Sequence, residues 1–157
     1  MDKEKILNEI EKKFKEIKEE LKFNSTFEEI DKIFFIRDLI LKDGFVSETF
    51  SRQMCYRIIE TFMSWNEYLH SIIMPNPQNI LNISESKIFN QEEKKEITEL
   101  IKRIMEINSR NTLIGLTKDK KAEGKLIDDS VKFWKEKFAP EIIKVIKKVN
   151  EEWGKTK

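Results

Sequence analysis

Residues 47–74 read SETFSRQMCYRIIETFMSWNEYLHSIIM and carry the clearest structural signal in the chain. Large apolar residues recur there every three or four positions, which is the spacing of one face of an α-helix. Ser47 can cap the start of such a helix, and Pro75 and Pro77 cannot continue it. The sequence therefore predicts one long helix whose buried stripe comprises Phe50, Met54, Cys55, Ile58, Phe62, Trp65, Leu69 and Ile72.

The first 22 residues predict a helix with a narrow apolar seam, because charged residues occupy its other faces. Lysine and glutamate flank this seam in the way that they flank the core of a coiled coil. A narrow seam docks on one partner helix, which belongs either to the same chain or to a second chain. We expect residues 1–22 to form a protruding or coiled-coil-like helix that self-associates through Leu7, Ile10, Phe14, Ile17 and Leu21.

The next segment predicts a second, central helix. A capping box, made by Ser25 or Thr26 with the glutamate three residues later, marks its start. The apolar residues that follow are spread around most of the helix circumference up to about Lys42, which favours burial on nearly every side. Gly44 is then the expected left-handed cap at its end.

The C-terminal half predicts two further helical stretches. Asn90 can cap the first of them, after a connection at 75–90 whose five large apolar residues favour a position over the core. A polar loop is expected at 115–125, and Pro140 should break or kink the last helix. Since no segment alternates as a strand does, the sequence predicts an all-α bundle of about five mostly antiparallel helices, in a single domain spanning 1–157.

Composition excludes several classes of protein. Lysine and arginine number 30 against 29 acidic residues, so the chain is not a histone-like basic protein. The N-terminus lacks the apolar core of a signal peptide, and no run of about 18 apolar residues is present to span a membrane. A single cysteine, Cys55, cannot form an internal disulfide. We therefore expect a cytoplasmic protein that does not enter a membrane.

Catalytic and metal-binding patterns are weak throughout. His70 is the single histidine, and on a continuous helix it would lie about 22 Å from Cys55, which excludes a Cys–His nucleophile pair. Glu67 and His70 share a helix face and form one Glu-x-x-His pair, whereas di-iron bundles need two such pairs. The four glycines are isolated, so phosphate-binding loops are excluded. We predict no cofactor and no catalytic residue, and keep Glu67 and His70 only as weak metal candidates.

One basic segment is a candidate for contact with RNA. Residues 102–125 hold seven bases and three acids, and such an excess can contact phosphates. The aromatic residues that would stack on unpaired bases are missing there, and a solvated loop is the favoured explanation because neighbouring faces cancel the charge. The candidate RNA contacts are Arg110, Asn111, Lys118, Lys120 and Lys121.

Residues 110–115, which read RNTLIG, resemble the Arg-Asn-x-Leu-x-His-Gly core of HEPN domains, a family of nucleotide-binding helical bundles. The opening Met-Asp-x-x-x-Ile-Leu at 1–7 is similar to the start of many such domains, and Ile-Asp at 127–128 and Ala-Pro at 139–140 occupy comparable places. The resemblance implies a helical domain that binds RNA or a protein partner. Family RNases carry a histidine four to six residues after the motif arginine, and positions 114–116 hold Ile, Gly and Leu. It therefore implies a domain without the catalytic histidine.

Three hypotheses follow. The first is a non-enzymatic helical module that works by protein–protein contact, as a homo-oligomer or inside an assembly, because large apolar residues are abundant and reactive sites are absent. The second is a HEPN-like RNA-binding domain, catalytically degenerate or active through other residues. The third is a metal enzyme that uses Glu67 and His70 across a dimer.

Overall fold

The computed structural model describes residues 2–155, and within that range it contains helices and no strand. The predicted all-α helical bundle is confirmed, with more helices than expected. Counting the unbroken helical run 120–154 once, the described residues form seven helices instead of about five. The elements are α1 (Lys3–Leu21), α2 (Phe27–Phe34), α3 (Ile36–Asp43), α4 (Phe50–Ile73), α5 (Ile80–Lys87), α6 (Gln91–Thr117), α7 (Lys120–Phe133), a π-helical turn (Trp134–Phe138) and α8 (Ala139–Gly154).

The predicted second helix is divided at Phe35, which adopts a left-handed conformation with φ 55°. The capping box at Thr26 and Glu29 is present, and Gly44 caps the end of α3 with φ 82°. A single helix over this segment would carry apolar side chains on nearly every side. The break at Phe35 changes the direction of the chain, and the Phe35 side chain is exposed. Buried side chains on either side of the break are Phe27, Ile30, Phe34, Ile36 and Ile40.

The predicted polar loop at 115–125 is wrong. α6 continues to Thr117 and α7 begins at Lys120, so two residues connect them. Lys118 is left-handed, with φ 57°, and the Asp119 carboxylate accepts the backbone N–H of Ala122 at 3.1 Å. The charged residues at 115–125 therefore form two helix ends joined by a tight turn. The Asp119 side chain caps α7 where a polar loop was expected.

Pro140 does not interrupt the last helical run with a loop. The discontinuity predicted there takes the form of the π-helical turn that immediately precedes α8, in which the Ala139 N–H donates to the Trp134 carbonyl five residues earlier. Proline lacks an N–H and its ring collides with the carbonyl four residues before it. Widening the helix by one residue accommodates both effects without ending it.

The chain divides into two compact units. Unit 1 comprises residues up to Thr61 together with Ile107–Lys132, and unit 2 comprises Phe62–Glu106 together with the residues from Phe133 onward. The expected burial of the α4 stripe is confirmed, except that Trp65 is only half-buried.

Unit 1 uses the α1 seam as part of its own core. Ile10, Phe14 and Leu21 are buried, Leu7 and Ile17 are half-buried, and the Phe14 ring packs edge-on against Phe23 and Phe27 at 5.6 and 5.2 Å. The prediction of a protruding helix that self-associates through this seam is wrong. Of the two partners that a narrow seam permits, the structure supplies the intramolecular one.

Unit 1 also holds the α1–α2 connection against one face of α7. The Asp128 carboxylate accepts the backbone N–H groups of Asn24 and Ser25, both at 2.8 Å, and the Ser25 hydroxyl at 2.7 Å. One turn earlier, Gly124 packs directly under the backbone of Leu21. Because positions four apart share a helix face, these two residues form a single docking edge.

Unit 2 is built around aromatic side chains. The buried rings of Phe62 and Phe138 meet edge-on with centroids 5.6 Å apart, and Phe133 and Trp134 pack on the same pair. Short α5 is fastened by polar contacts, since the Glu85 carboxylate accepts the Tyr68 hydroxyl at 3.0 Å and the Trp153 indole N–H at 3.2 Å. Burial, and then the carboxylate, raise the pKa of Tyr68 above its ordinary value, which keeps the hydroxyl a donor.

Asn90 and Glu93 each accept the backbone N–H of the other at the start of α6, and this contact predicts that unit 2 loses stability in acid. Glu93 accepts the Asn90 backbone N–H at 3.0 Å and Lys148 at 2.6 Å, and these contacts lower the pKa of Glu93. A carboxyl group whose pKa is lower in the folded state stabilises the fold at pH values above its unfolded-state pKa. This stabilisation is lost as the pH falls through the folded-state pKa. We expect urea midpoints to fall below about pH 4.5, and Glu93→Gln to flatten this fall while costing about 1 kcal/mol at pH 7. Glu96→Gln, with an exposed carboxylate on the same helix, is the control, and an equally steep acid fall in both variants would contradict the prediction.

Candidate functional site

A cleft of about 520 Å³ opens in unit 1 where helix ends converge. The C-terminal turn of α1, the start of α4, the end of α6 and the start of α7 form its walls. Apolar side chains form part of the lining, and charged side chains surround them. The residues that line the cleft are Ile17, Glu20, Leu21, Glu48, Thr49, Phe50, Ser51, Arg52, Tyr56, Ile114, Gly115, Lys118, Asp119, Lys120 and Glu123.

Arg52 and Glu123 form a largely buried ion pair in this cleft. The guanidinium donates to the Glu123 carboxylate at 2.7 Å and to the backbone carbonyl of Asn111 at 3.4 Å, and it stacks on the exposed ring of Tyr56 at 5.1 Å. A Cβ at Gly115 would lie 3.4 Å from the guanidinium, which is an ordinary contact distance. Two charges at this depth are stable only as a pair, so the contact positions α4 on α6 and α7.

The charges of the cleft are mutually compensated. Lys120 pairs with Glu20, and Asp119 is occupied as the cap of α7. Overall the lining holds three bases and four acids, so it offers neither a basic surface for phosphates nor a carboxylate pair set apart for acid–base catalysis. The arrangement is that of a structural junction between helix ends.

Cys55 is not a nucleophile. Its side chain is fully buried, and burial, followed by the nearby Glu123 carboxylate, raises the pKa of the thiol to about 12. A catalytic cysteine requires the opposite shift, since the thiolate is the reactive form. The side chain therefore acts as a small apolar residue in the core of unit 1.

The structure distributes the five candidate RNA contacts among different environments. Lys118 and Lys120 line the cleft, whereas Lys121 is exposed outside its lining. Arg110 donates to the Asp129 carboxylate at 2.8 Å. Asn111 is buried, and its side-chain oxygen has no hydrogen-bond partner among the described residues. Arg110 thus contributes to the α6–α7 contact of unit 1, whereas the Asn111 carbonyl accepts from Arg52 of α4.

The metal candidates lie at the surface. Glu67 and His70 are both exposed near the end of α4. Within residues 2–155, no group of three or more histidine, cysteine, aspartate or glutamate side chains is arranged to hold a metal ion.

Unit 2 exposes an apolar turn between α4 and α5. Residues 71–84 contain no charged side chain, in a chain of which 38% is charged. The side chains of Met74, Ile80 and Leu81 are 68%, 75% and 58% exposed, and we call these three residues the apolar turn. The expectation that 75–90 covers the core holds for Phe89 and fails for this part, because the first turn of α5 faces solvent.

The apolar turn has a defined local structure. The Asn76 side chain accepts the Gln78 backbone N–H at 3.0 Å, and the Asn79 side chain caps α5 by accepting the Leu81 N–H at 3.0 Å. Asparagine side chains that bond to the backbone two residues later stabilise turns. The exposed apolar side chains are therefore presented on an ordered backbone.

α8 exposes a second apolar surface of unit 2. Ile142, Val145 and Val149 are buried, while the adjacent stripe of Ile143, Ile146 and Trp153 is 37–51% exposed; we call this stripe the α8 strip. The sequence period alone does not show that Ile146 and Trp153 stay exposed, because it gives the position of the apolar face and not its width. The detectable signal was Ile143 directly after Ile142, which makes that face too wide for one contact.

Comparison of the chain with protein-family models, with curated proteins and with solved structures found no match. Among the described residues, no helix combines the length and the apolar character that crossing a membrane requires.

Proposed function

We propose that this chain is a non-enzymatic, all-helical protein–protein interaction module that works in the cytoplasm and assembles with further copies of itself or with another protein. The exposure of large apolar side chains on unit 2 carries the proposal. Single exposed apolar residues are ordinary, whereas grouped ones mark interaction sites. Apart from Met105, they form two groups, the apolar turn and the α8 strip, which lie on α5, on α8 and in the turn before α5.

The rest of the molecule supports a binding role over a catalytic one. The cleft of unit 1 is internally charge-compensated, its cysteine is buried, and the sole histidine is exposed at a helix end. The single cysteine, which forms no disulfide, is consistent with a reducing compartment.

Sedimentation of the unmodified chain over a wide concentration range tests this function. We expect a reversible increase in mass with concentration that survives raised salt, because association through apolar surfaces is not screened. A strict monomer at the highest concentration would contradict self-association. Absence of any partner-induced shift in the amide spectra of unit 2 would then remove the proposal as a whole.

RNA binding of the HEPN type is the alternative. It would depend on Lys118 and Lys121, since Arg110 and Lys120 are paired and Asn111 is buried. This function predicts a gel shift with single-stranded RNA that weakens steeply as salt rises. Such a shift, reduced by Lys121→Glu, would favour RNA binding over protein contact.

A further inference from the structure

We infer that the partner of the α8 strip is a second copy of this chain, packed antiparallel about a two-fold axis close to Asn150. This inference rests on the proposed function and names the partner and the surface that it uses. Ile143, Ile146, Asn150 and Trp153 follow one another at spacings of three, four and three along α8. That repeat forms a narrow seam about 15 Å long, which suits one partner helix.

Two of the three apolar members of the strip face each other in this arrangement, and Ile143 lies beyond the overlap of the two helices. Ile146 lies four residues before the axis and Trp153 three residues after it. In an antiparallel pair, Ile146 of one copy therefore faces Trp153 of the other, within about 1.5 Å along the helix axis. The indole N–H of Trp153 keeps its contact with Glu85, so the ring is already oriented and loses little conformational freedom on binding.

Charge supplies the reason to choose a second copy. Lys144, Lys148 and Glu152 all have ion-pair partners within the chain. Lys147 and Glu151 are exposed and have no such partner among the residues described, although both lie on the same side of the strip. About the proposed axis, Lys147 of one copy lies about 3 Å along the axis from Glu151 of the other, whereas the two lysines are about 9 Å apart. The two Glu151 carboxylates also lie about 3 Å apart along the axis, so the pairing sets two attractive contacts against one repulsive contact.

The proposed axis explains why a polar residue, Asn150, lies between Ile146 and Trp153 of the α8 strip. Its side chain is exposed and has no hydrogen bond to the rest of the described chain. At a two-fold axis its amide meets the same amide of the other copy, and each can donate to and accept from the other. A single asparagine in an apolar seam also fixes the register, because any shift leaves the amide without a partner.

Disulfide formation at the axis tests this geometry. We expect Asn150→Cys to give a covalent dimer under mild oxidation, since two cysteines at the axis approach within bonding range. Lys144→Cys, exposed on another face of α8, should stay monomeric on a reducing-agent-free gel. The unmodified chain is a further control, because Cys55 is buried with a raised pKa. Equal crosslinking of both variants, or none of Asn150→Cys, would overturn the inference.

A charge exchange in the full chain gives an independent test by sedimentation. Lys147→Glu should weaken the dimer about tenfold, because two attractive pairs become repulsive, and adding Glu151→Lys should restore it to within about threefold. Leu81→Glu introduces the same charge on the apolar turn and should leave the dimer unchanged. Loss of the dimer in Leu81→Glu with full retention in Lys147→Glu would move self-association to the apolar turn. That outcome would reject the α8 pairing and leave the proposed function standing.

Discussion

Gly124→Ala should destabilise the chain by at least about 3 kcal/mol. A Cβ at this position would overlap the carbonyl oxygen of Leu21 and lie 3.1 and 3.2 Å from its carbonyl carbon and Cβ. The obstructing atoms belong to the backbone at the end of α1, so a rotamer change cannot relieve the collision. Either α7 moves away from α1, exposing part of the unit 1 core, or the backbone of α1 distorts.

Urea unfolding of Gly124→Ala followed by circular dichroism measures this effect. Gly115→Ala is the matched control, because it lies in a helix of the same unit and its Cβ would meet only the flexible side chain of Arg52 at 3.4 Å. Alanine is a better helix former than glycine by about 1 kcal/mol, so this control should be neutral or slightly stabilising. Equal midpoints for the two variants would show that α7 does not pack on α1 as closely as described.

Asp128→Ala should cost about 3 kcal/mol. The carboxylate accepts three hydrogen bonds from Asn24 and Ser25, and hydrogen bonds to a charged group are stronger than neutral ones. Ser25 is buried, so its hydroxyl and N–H would lose their partner where water reaches them poorly. The α1–α2 connection should become mobile, which amide hydrogen exchange at residues 23–26 would detect.

Asp129→Ala provides the comparison for that change. Asp129 is the adjacent residue, and its carboxylate forms an ion pair with Arg110. Both side chains of this pair are partly exposed. Removal of such a pair should cost about 1 kcal/mol or less. If Asp129→Ala proves as damaging as Asp128→Ala, the connection depends on the general charge of α7 and not on the specific acceptor at 128.

The spacing of apolar residues was sufficient to predict the buried residues where a helix has one buried face. The stripe of α4, apart from Trp65, and the caps at Thr26, Gly44 and Asn90 are in the structure as the sequence predicts, because each depends on residues within about one turn of each other. The same rule was insufficient for 26–42 and for α8. In both, apolar residues spread too widely for the pattern to say which of them would be buried.

Which apolar faces are exposed as candidate interaction surfaces could be decided only from the tertiary contacts that cover the others. The α1 seam has the pattern of an interaction surface, yet Phe23 and Phe27 from the following segment pack against it. Arg52 and Glu123 lie 71 residues apart in sequence, so no local pattern joins them. The uncharged stretch 71–84 was visible in the sequence, but its exposure was not, because apolar residues in a connection are compatible with either position.

The sequence by itself determined the helical class, several helix ends and the separation of Cys55 from His70, since these depend on side-chain chemistry and on spacing within a few turns. Only the tertiary structure decided that α1 packs inward, that α7 docks through Gly124 and Asp128, and that the α8 strip remains exposed. The physical reason is that burial is a competition among all apolar faces for a limited interior. Its outcome depends on backbone contacts between segments far apart in the chain, which no local pattern encodes.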